Sequence, residues 1–319
     1  MQIVRGLDQY PPDAPPSVVA QGTFDGIHLG HQAVIRMAVG RARALGVRPV
    51  AVTFDPHPVA VLRPAEAPPE LLPLDERLDR IAELGPDVCL VIPFTPEFSR
   101  VEAETYVRDV LLGLLGAQEI VVGFNHAFGR GARGTPELME RVAGPMGVRV
   151  HVVAPLRVDG VPVSSTAIRE ALRDGDVRRA ASLLGRPYTI VGTVARGAAR
   201  GRALGFPTAN LTGPPGLSLA DGVYTARARW GGELASAVVN VGVRPTVDGA
   251  TRLVEAHLLD VAPELYGRRL TLAFLDRIRP EQRFPSLDAL RAQIAQDVAT
   301  ARRMLGQGSG PSGADPVPA

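Results

Sequence analysis

The stretch SVVAQGTFDGIHLGHQAVIRMAVGRARAL, residues 17–45, decides how the first half of the chain is read. Its opening, SVVAQGTF (17–24), is a short β-rich run, and HLGHQAVIRMAVGRARAL (28–45) carries apolar residues at helical spacing. The alternation continues outward from there. VRPVAVTF (47–54), DVCLVIPF (87–94) and EIVVGF (119–124) read as buried strands, while RLDRIAEL (77–84) and ETYVRDVLLGLL (104–115) read as helices. Strands parted by helices imply βαβ units and a parallel sheet. In such sheets a ligand lies past the carboxyl ends of the strands, and the conspicuous polar motifs of this half all sit just after a strand.

Beyond a helical segment ending near Leu184 the period changes to two. YTIVGTVA (188–195), VYTARARW (223–230), ELASAVVN (233–240), RLVEAHLL (252–259) and RLTLAFL (269–275) are strand-length runs between Gly/Pro-rich turns. Trp230-Gly231-Gly232-Glu233 signals a tight hairpin. Regularly spaced antiparallel strands predict a small barrel, closed by the amphipathic helix SLDALRAQIAQDVATARRML (286–305). The expected division is an α/β domain over 1–184, a barrel domain over 185–305, and a Gly/Pro/Ser-rich, disordered tail over 306–319.

The 319 residues suffice for two cores, and 45% hydrophobic with 21% charged residues is ordinary globular composition. No run approaches the ~18 apolar residues of a membrane span. The N-terminus MQIVRGLDQYPPD lacks the apolar centre of a signal peptide, so a cytoplasmic protein without membrane contacts is expected. The single cysteine, Cys89, excludes a disulfide framework and reads as a buried, inert thiol. There is no lysine, so all 35 basic residues are arginine. A Walker A loop and lysine Schiff-base chemistry are thereby both closed. The pI near 9.0 overstates a net charge of only +2, which leaves nucleic-acid binding possible without arguing for it. With aromatics at 5% and scattered arginines, no nucleic-acid partner is expected, against the alternative of an RNA-binding protein built on a basic barrel.

Within GTFDGIHLGH (22–31), His28 and His31 are three apart, on one face of a first helical turn. A helix N-terminus offers free N–H groups and partial positive charge, which suits a triphosphate. Gly22, Gly26 and Gly30 allow close backbone approach, and two imidazoles there can donate hydrogen bonds to charge growing on an α-phosphate. The bland alternative is two satisfied histidines beside a tight turn. Val163-Ser164-Ser165-Thr166-Ala167-Ile168-Arg169 puts hydroxyls at a helix start, where simple capping is the competing explanation. Gly123-Phe124-Asn125-His126-Ala127-Phe128-Gly129 offers an amide and aromatic surface to a ring system, or is only a glycine-rich loop. His57, between two prolines, reads equally as a rigid-turn residue.

In the second half, Gly201-Arg202 and Gly205-Phe206-Pro207-Thr208-Ala209-Asn210 form a glycine-punctuated loop after the first barrel strand. In extended chain, Thr208 and Asn210 point to one side as hydroxyl and amide. These are weak neutral ligands, so Mg²⁺ would be held mainly through ATP oxygens; an Asx-capped turn is the alternative. Glu255 shares a strand face with Leu253, His257 and Leu259, and is either a base for a primary alcohol or an outward edge charge.

Two sets of motifs carry a family resemblance. His28-Leu29-Gly30-His31 and Ser164-Ser165-Thr166-Ala167-Ile168-Arg169 resemble the nucleotidylyltransferases, and Thr53-Phe54-Asp55-Pro56-His57-Pro58 narrows this to the FMN adenylyltransferase module of prokaryotic FAD synthetases. GRALGFPTANL (201–211), Asp221-Gly222-Val223-Tyr224, Asn240-Val241-Gly242, Arg244-Pro245-Thr246, Val254-Glu255 and Leu265-Tyr266-Gly267 resemble riboflavin kinase. The resemblance implies a bifunctional enzyme with riboflavin, FMN and ATP as its small-molecule partners and Mg²⁺ entering with ATP. FMN and FAD are then substrate and products, not prosthetic groups, and any self-association is weak.

Carried over by position, the resemblance implies that His28 and His31 are catalytic in the first half. Gly22, Phe24, Asp25, Gly30, Ser165, Thr166 and Arg169 then bind ATP, while Phe54, His57, Asn125 and Phe128 bind FMN. In the second half it makes Glu255 the base, Gly201, Arg202, Thr208 and Asn210 the ATP site, Thr208 and Asn210 also the Mg²⁺ site, and Arg279 and Phe284 the flavin side. Asn125-His126-Ala127 departs from the family's loop, where Asp-Phe and a following arginine are common. That departure keeps open a kinase whose adenylyltransferase half is weak or only a scaffold.

Overall fold

The computed structural model describes residues 1–196, 201, 204–212, 217–246 and 249–307, with backbone alone at 244–246, 249–251 and 307. The chain forms two compact units, Met1–Ser165 and Thr166–Ala319.

The first unit is built on a six-stranded sheet of β1 (Gln2–Arg5), β2 (Ser17–Gln21), β3 (Arg48–Asp55), β4 (Val88–Pro93), β5 (Ala117–Gly123) and β6 (Arg149–Val153). The order is β1-β4-β3-β2-β5-β6 and every pairing is parallel. The central strands are buried on both faces, as continuous apolar runs such as VCLVI require. Helices α1 (Leu29–Leu45), α2 (Pro58–Leu62), α3 (Leu74–Ala82), α4 (Ala103–Thr105) and α5 (Pro136–Ala143) connect the strands, with Tyr106–Leu114 running on from α4 as a π-helix. Two apolar layers result. Val18, Ala20, Ile35 and Val39 fill one, and Val19, Val52, Leu111 and Ile120 the other. Cys89 is fully buried, and burial pushes its thiol up to about 12, as an inert core residue requires. From β2 the chain moves to one side through β3 and β4, then returns to the other side at β5. The switch point therefore lies at the carboxyl ends of β2 and β5, where a ligand crevice is expected.

The second unit opens with α6 (Ser165–Arg173) and α7 (Val177–Leu184). It continues as a closed antiparallel barrel of β9 (Tyr188–Ala195), β10 (Ala209–Thr212), β11 (Gly222–Trp230), β12 (Glu233–Thr246), β13 (Gly249–Leu258) and β14 (Arg269–Pro280), ordered β10-β13-β12-β11-β14-β9. A short hairpin of β7 (Arg157–Val158) and β8 (Val161–Pro162) precedes it in the chain, and α8 (Leu287–Gln307) closes the unit. Trp230 pairs with Glu233 across Gly231 and Gly232, whose φ of +52° and +91° are the left-handed pair a tight hairpin demands. Arg178 of α7 donates to Asp276 at 2.7 Å, and Arg277 donates at 3.1 Å to the carbonyl of Asp174 in the turn between the two helices, which ties α7 and that turn to β14.

Candidate active sites

The first site grows from the loop that follows β2. Phe24 and Ile27 adopt positive φ (+53° and +43°) although neither is glycine, and both are buried. Such backbone persists only where its surroundings over-determine it. Here the carbonyl of Thr23 accepts from Thr53 Oγ1 (3.0 Å) and from Arg77 Nη1 (2.9 Å). The buried Asp25 carboxylate accepts the Leu71 N–H at 2.9 Å, and Ser165 Oγ donates to the Asp25 carbonyl at 2.9 Å. Gly26 has φ +83°, and a side chain there would strike Leu71.

His28 is the N-cap of α1, and its Nδ1 accepts the His31 N–H at 3.2 Å. A neutral His28 with Nδ1 accepting carries its proton on Nε2, leaving that atom as a donor. The two rings stack with centroids 3.6 Å apart, and Phe24 meets His31 edge-on at 5.5 Å. A Cβ on Gly30 would come within 3.1 Å of the His28 ring, so this glycine makes room for the stack. Burial, then His28 and Arg77, holds the His31 imidazole well below its ordinary value, so it is neutral near pH 7. Arg77 is 1% exposed beneath this loop, with Nη2 3.7 Å from Asp55. The site is thus two stacked imidazoles at a helix start, with the buried Arg77 cation bonded to the same loop, an arrangement suited to phosphate oxygens.

An aromatic chain runs through the other apolar layer, apart from the one that holds Phe24 and Ile27. Phe54 packs against Phe94 and Phe98, Phe98 against Tyr106, Tyr106 against Phe128, and Phe128 stacks on His126 at 5.5 Å. Phe54 and Phe128, expected on the flavin side, are each only 7% exposed and belong to this buried aromatic layer. Burial lowers His126 to about 4, so it too is neutral. His57 caps α2 by accepting the Val59 N–H at 3.2 Å, and Asn125 is exposed in the turn after β5. Thr166 and the buried Arg169 follow Ser165 on α6, within the second unit.

The second site is a row of register partners. Asn210 on β10 faces Glu255 on β13, Glu255 faces Asn240 on β12, Asn240 faces Val223 on β11, and Val223 faces Arg279 on β14. One residue along, Val194, Leu211, Val254 and Val241 form the next row and are at most 3% exposed, so they fill the barrel. With period two, Asn210, Glu255 and Asn240 therefore stand on the outer wall, each half-buried. Thr208 lies two residues before Asn210. A Cβ on Gly201 would run into the Phe206 carbonyl and lie 3.0 Å from Thr208 Oγ1, so only glycine fits there. A cavity of about 440 Å³ opens beside this loop, lined by Val194, Pro207, Thr208, Ala256, Leu265 and Tyr266 among others.

Arg279, expected on the flavin side, is tied to the buried Asp297 of α8 by contacts of 2.8–3.1 Å, and its guanidinium lies 5.6 Å from the Phe284 ring centroid. It anchors the helix as well as extending the row. Arg202 and the tail beyond 307 lie outside the described residues. No group of three or more His, Cys, Asp or Glu able to hold a metal occurs among the described residues. The hydroxyl and amide of Thr208 and Asn210 are hard, neutral donors that fit Mg²⁺ arriving on a nucleotide.

Two family models match in tandem, one described as FAD synthetase over residues 10–167 and one as riboflavin kinase over 184–305. Proteins described as bifunctional riboflavin kinase/FMN adenylyltransferase align along nearly the whole chain. That of Escherichia coli (strain K12) is 38% identical over 312 residues, covering 96% of this chain and 98% of its own length. That of Pseudomonas fluorescens is 39% identical over 306 residues, covering 95% and 98%. This chain belongs to the bifunctional riboflavin kinase/FMN adenylyltransferase family. A solved structure from Streptococcus pneumoniae, described as a macrolide-efflux protein, superposes with a TM-score of 0.84 at 30% identity, covering 95% of this chain and 99% of its own. Among the described residues no helix is long and apolar enough to cross a membrane.

Sequence reasoning missed four features in and around the two candidate sites. Arg77 stands at helical spacing with Leu74, Leu78 and Ile81, so a helical projection puts it on the buried face of α3. Asn240 was legible as a motif but not as the second neighbour of Glu255. Phe94, Phe98 and Tyr106 lie on three separate segments and meet only in the fold. His257 shared the strand face of Glu255 without a role.

Proposed function

We propose that the barrel phosphorylates riboflavin to FMN, and that the α/β unit adenylylates FMN to FAD with release of pyrophosphate. The observation that carries this reading is the pairing of two family models, in order and along nearly the whole chain, with two distinct polar centres. The full pairing favours two working activities over a kinase with an inert scaffold. The functional division is 1–184 for the adenylyltransferase and 185–305 for the kinase, in a cytoplasmic chain.

In the kinase half, Glu255 accepts the proton of the ribityl 5′-hydroxyl as that oxygen attacks the γ-phosphorus of ATP, and ADP leaves. Asn210 and Asn240 flank the carboxylate and orient the groups that meet there. Thr208 and Asn210 would hold Mg²⁺ with the nucleotide, where it offsets phosphate charge. The cavity beside Thr208 takes the purine, with Gly201 and Arg202 on the same nucleotide. Arg279 and Phe284 border the flavin.

In the adenylyltransferase half, an FMN phosphate oxygen attacks the α-phosphorus of ATP. That oxygen is already anionic, so no base is needed, and alignment with charge stabilisation suffices. His28 donates from Nε2 to the phosphate oxygens, His31 sits stacked beside it, and the start of α1 adds its N–H groups. Gly22, Phe24, Asp25 and Gly30 shape the loop, and Ser165, Thr166 and Arg169 bind the same nucleotide. Phe54, His57, Asn125 and Phe128 receive the flavin. Isotope tracing tests both halves at once. Label from the γ-phosphate of ATP should enter FMN and label from the α-phosphate should enter FAD; label in neither flavin contradicts the proposal.

A further inference from the structure

His257 stands on the outer face of β13, two residues beyond Glu255. Its Nδ1 is 2.9 Å from the carbonyl oxygen of Pro207, and a carbonyl only accepts, so Nδ1 carries the proton in this contact. The ring also meets Phe206 edge-on, with centroids 5.6 Å apart. Phe206 and Pro207 lead directly into Thr208. The strand that follows, β10, has only four residues, and its register with β13 begins at Ala209 opposite Ala256. So short a strand has few ladder bonds to hold its leading end, and the residues before Ala209 depend on other contacts. On the inner side of the turn the Phe206 N–H donates to the Gly201 carbonyl at 2.8 Å. On the β13 side the contact is His257.

We propose that His257 is a positioning residue of the kinase site: its Nδ1–H latches the Gly205–Thr208 turn to β13 and so sets Thr208 and Asn210 at their places beside Glu255. This rests on the reading of the barrel as a riboflavin kinase. His257 need not touch substrate. Its effect runs through the Pro207 carbonyl to the two residues that meet the nucleotide, so its loss weakens Mg-ATP binding more than it slows the chemical step.

The test uses the full-length chain with His257→Phe, which keeps a ring against Phe206 but has no donor, and His257→Asn, whose amide nitrogen occupies the position of Nδ1. Riboflavin phosphorylation is measured against Mg-ATP concentration, with adenylylation of supplied FMN as a control on the same molecule. His257→Phe should raise KM for Mg-ATP about tenfold, the worth of one such hydrogen bond, with a smaller change in kcat. His257→Asn should bring KM back to within about threefold of the parent. FMN adenylylation should be unchanged in both. A parental KM in His257→Phe, equal impairment of the two variants, or parallel loss of both activities would overturn the latch. If the parent chain itself fails to phosphorylate riboflavin, the kinase reading falls first, and that outcome is distinct from the others.

Discussion

Glu255 and Asn210 are direct register partners on neighbouring barrel strands, and Asn240 completes the row on the other side of the carboxylate. The pairing fixes the distance between the chain that supplies the proposed base and the loop that leads from the nucleotide cavity. Replacing Glu255 with Gln keeps the shape and removes the proton acceptor. FMN formation should fall by about 10²–10⁴-fold, the usual worth of a positioned base. Adenylylation of supplied FMN should continue at the parental rate, which steady-state assays of the two half-reactions will show.

The His28 side chain does two jobs that can be separated. It caps α1 through Nδ1 and presents Nε2 as a donor. Asn is also a good N-cap, so His28→Asn should keep stability close to the parent. His28→Ala should lose about 1 kcal/mol, read from denaturant unfolding. Both should cut FAD synthesis by about 10²-fold or more, because neither side chain is long enough to place a donor where Nε2 stands, while riboflavin phosphorylation stays intact. An active His28→Asn would assign the histidine to capping alone.

Glu119 gives the first unit a pH-dependent tie away from either site. Its buried carboxylate accepts from Arg41 at 2.6 Å through both oxygens, and from Arg149 (2.7 Å) and His151 (2.8 Å). Hydrogen bonding from Arg41 chiefly, with further help from His151, holds it down at about 2 against an ordinary 4.5. A depressed carboxylate stabilises the fold above its unfolded value, and that contribution fades as pH falls from about 4.5 through about 2. Glu119→Gln should cost about 1–2 kcal/mol at neutral pH, because the arginines it leaves behind reach water. It should also flatten the stability profile across that acid window. An unchanged acid limb would contradict this assignment.

The compact units divide after Ser165, and α7 and the turn that joins it to α6 are bonded to β14 through Arg178 and Arg277. The Ala220 N–H also donates to the Leu172 carbonyl at 2.8 Å. A fragment starting at Thr166 should therefore melt several degrees above one starting at Arg186. Equal melting points would show that the helices lend the barrel nothing.

The parallel sheet and the barrel were legible because their strands are long apolar runs or clean alternations. The strands that escaped notice are short or at edges. β1 has four residues with three exposed, β6 buries only Val153 of its five, and β10 hides inside the Thr208-Ala209-Asn210 triplet. Tight local geometry was also readable, as at Trp230-Gly231-Gly232-Glu233. What spacing could not reveal was contact between distant segments, such as Arg77 reaching the carbonyl of Thr23, or the aromatic chain from Phe54 to Phe128. The glycines around His28 were read as space for phosphates. The structure gives them a second duty, since Gly22, Gly26 and Gly30 make room for Phe24, Leu71 and His28.

The central claim is that one chain carries out two successive flavin reactions. Chromatography of flavins over time, after the purified protein is given riboflavin, ATP and Mg²⁺, tests it most directly. Two working sites predict that riboflavin falls, FMN rises first, and FAD follows. FMN that accumulates without FAD would contradict the adenylyltransferase site, and unchanged riboflavin would contradict the kinase site.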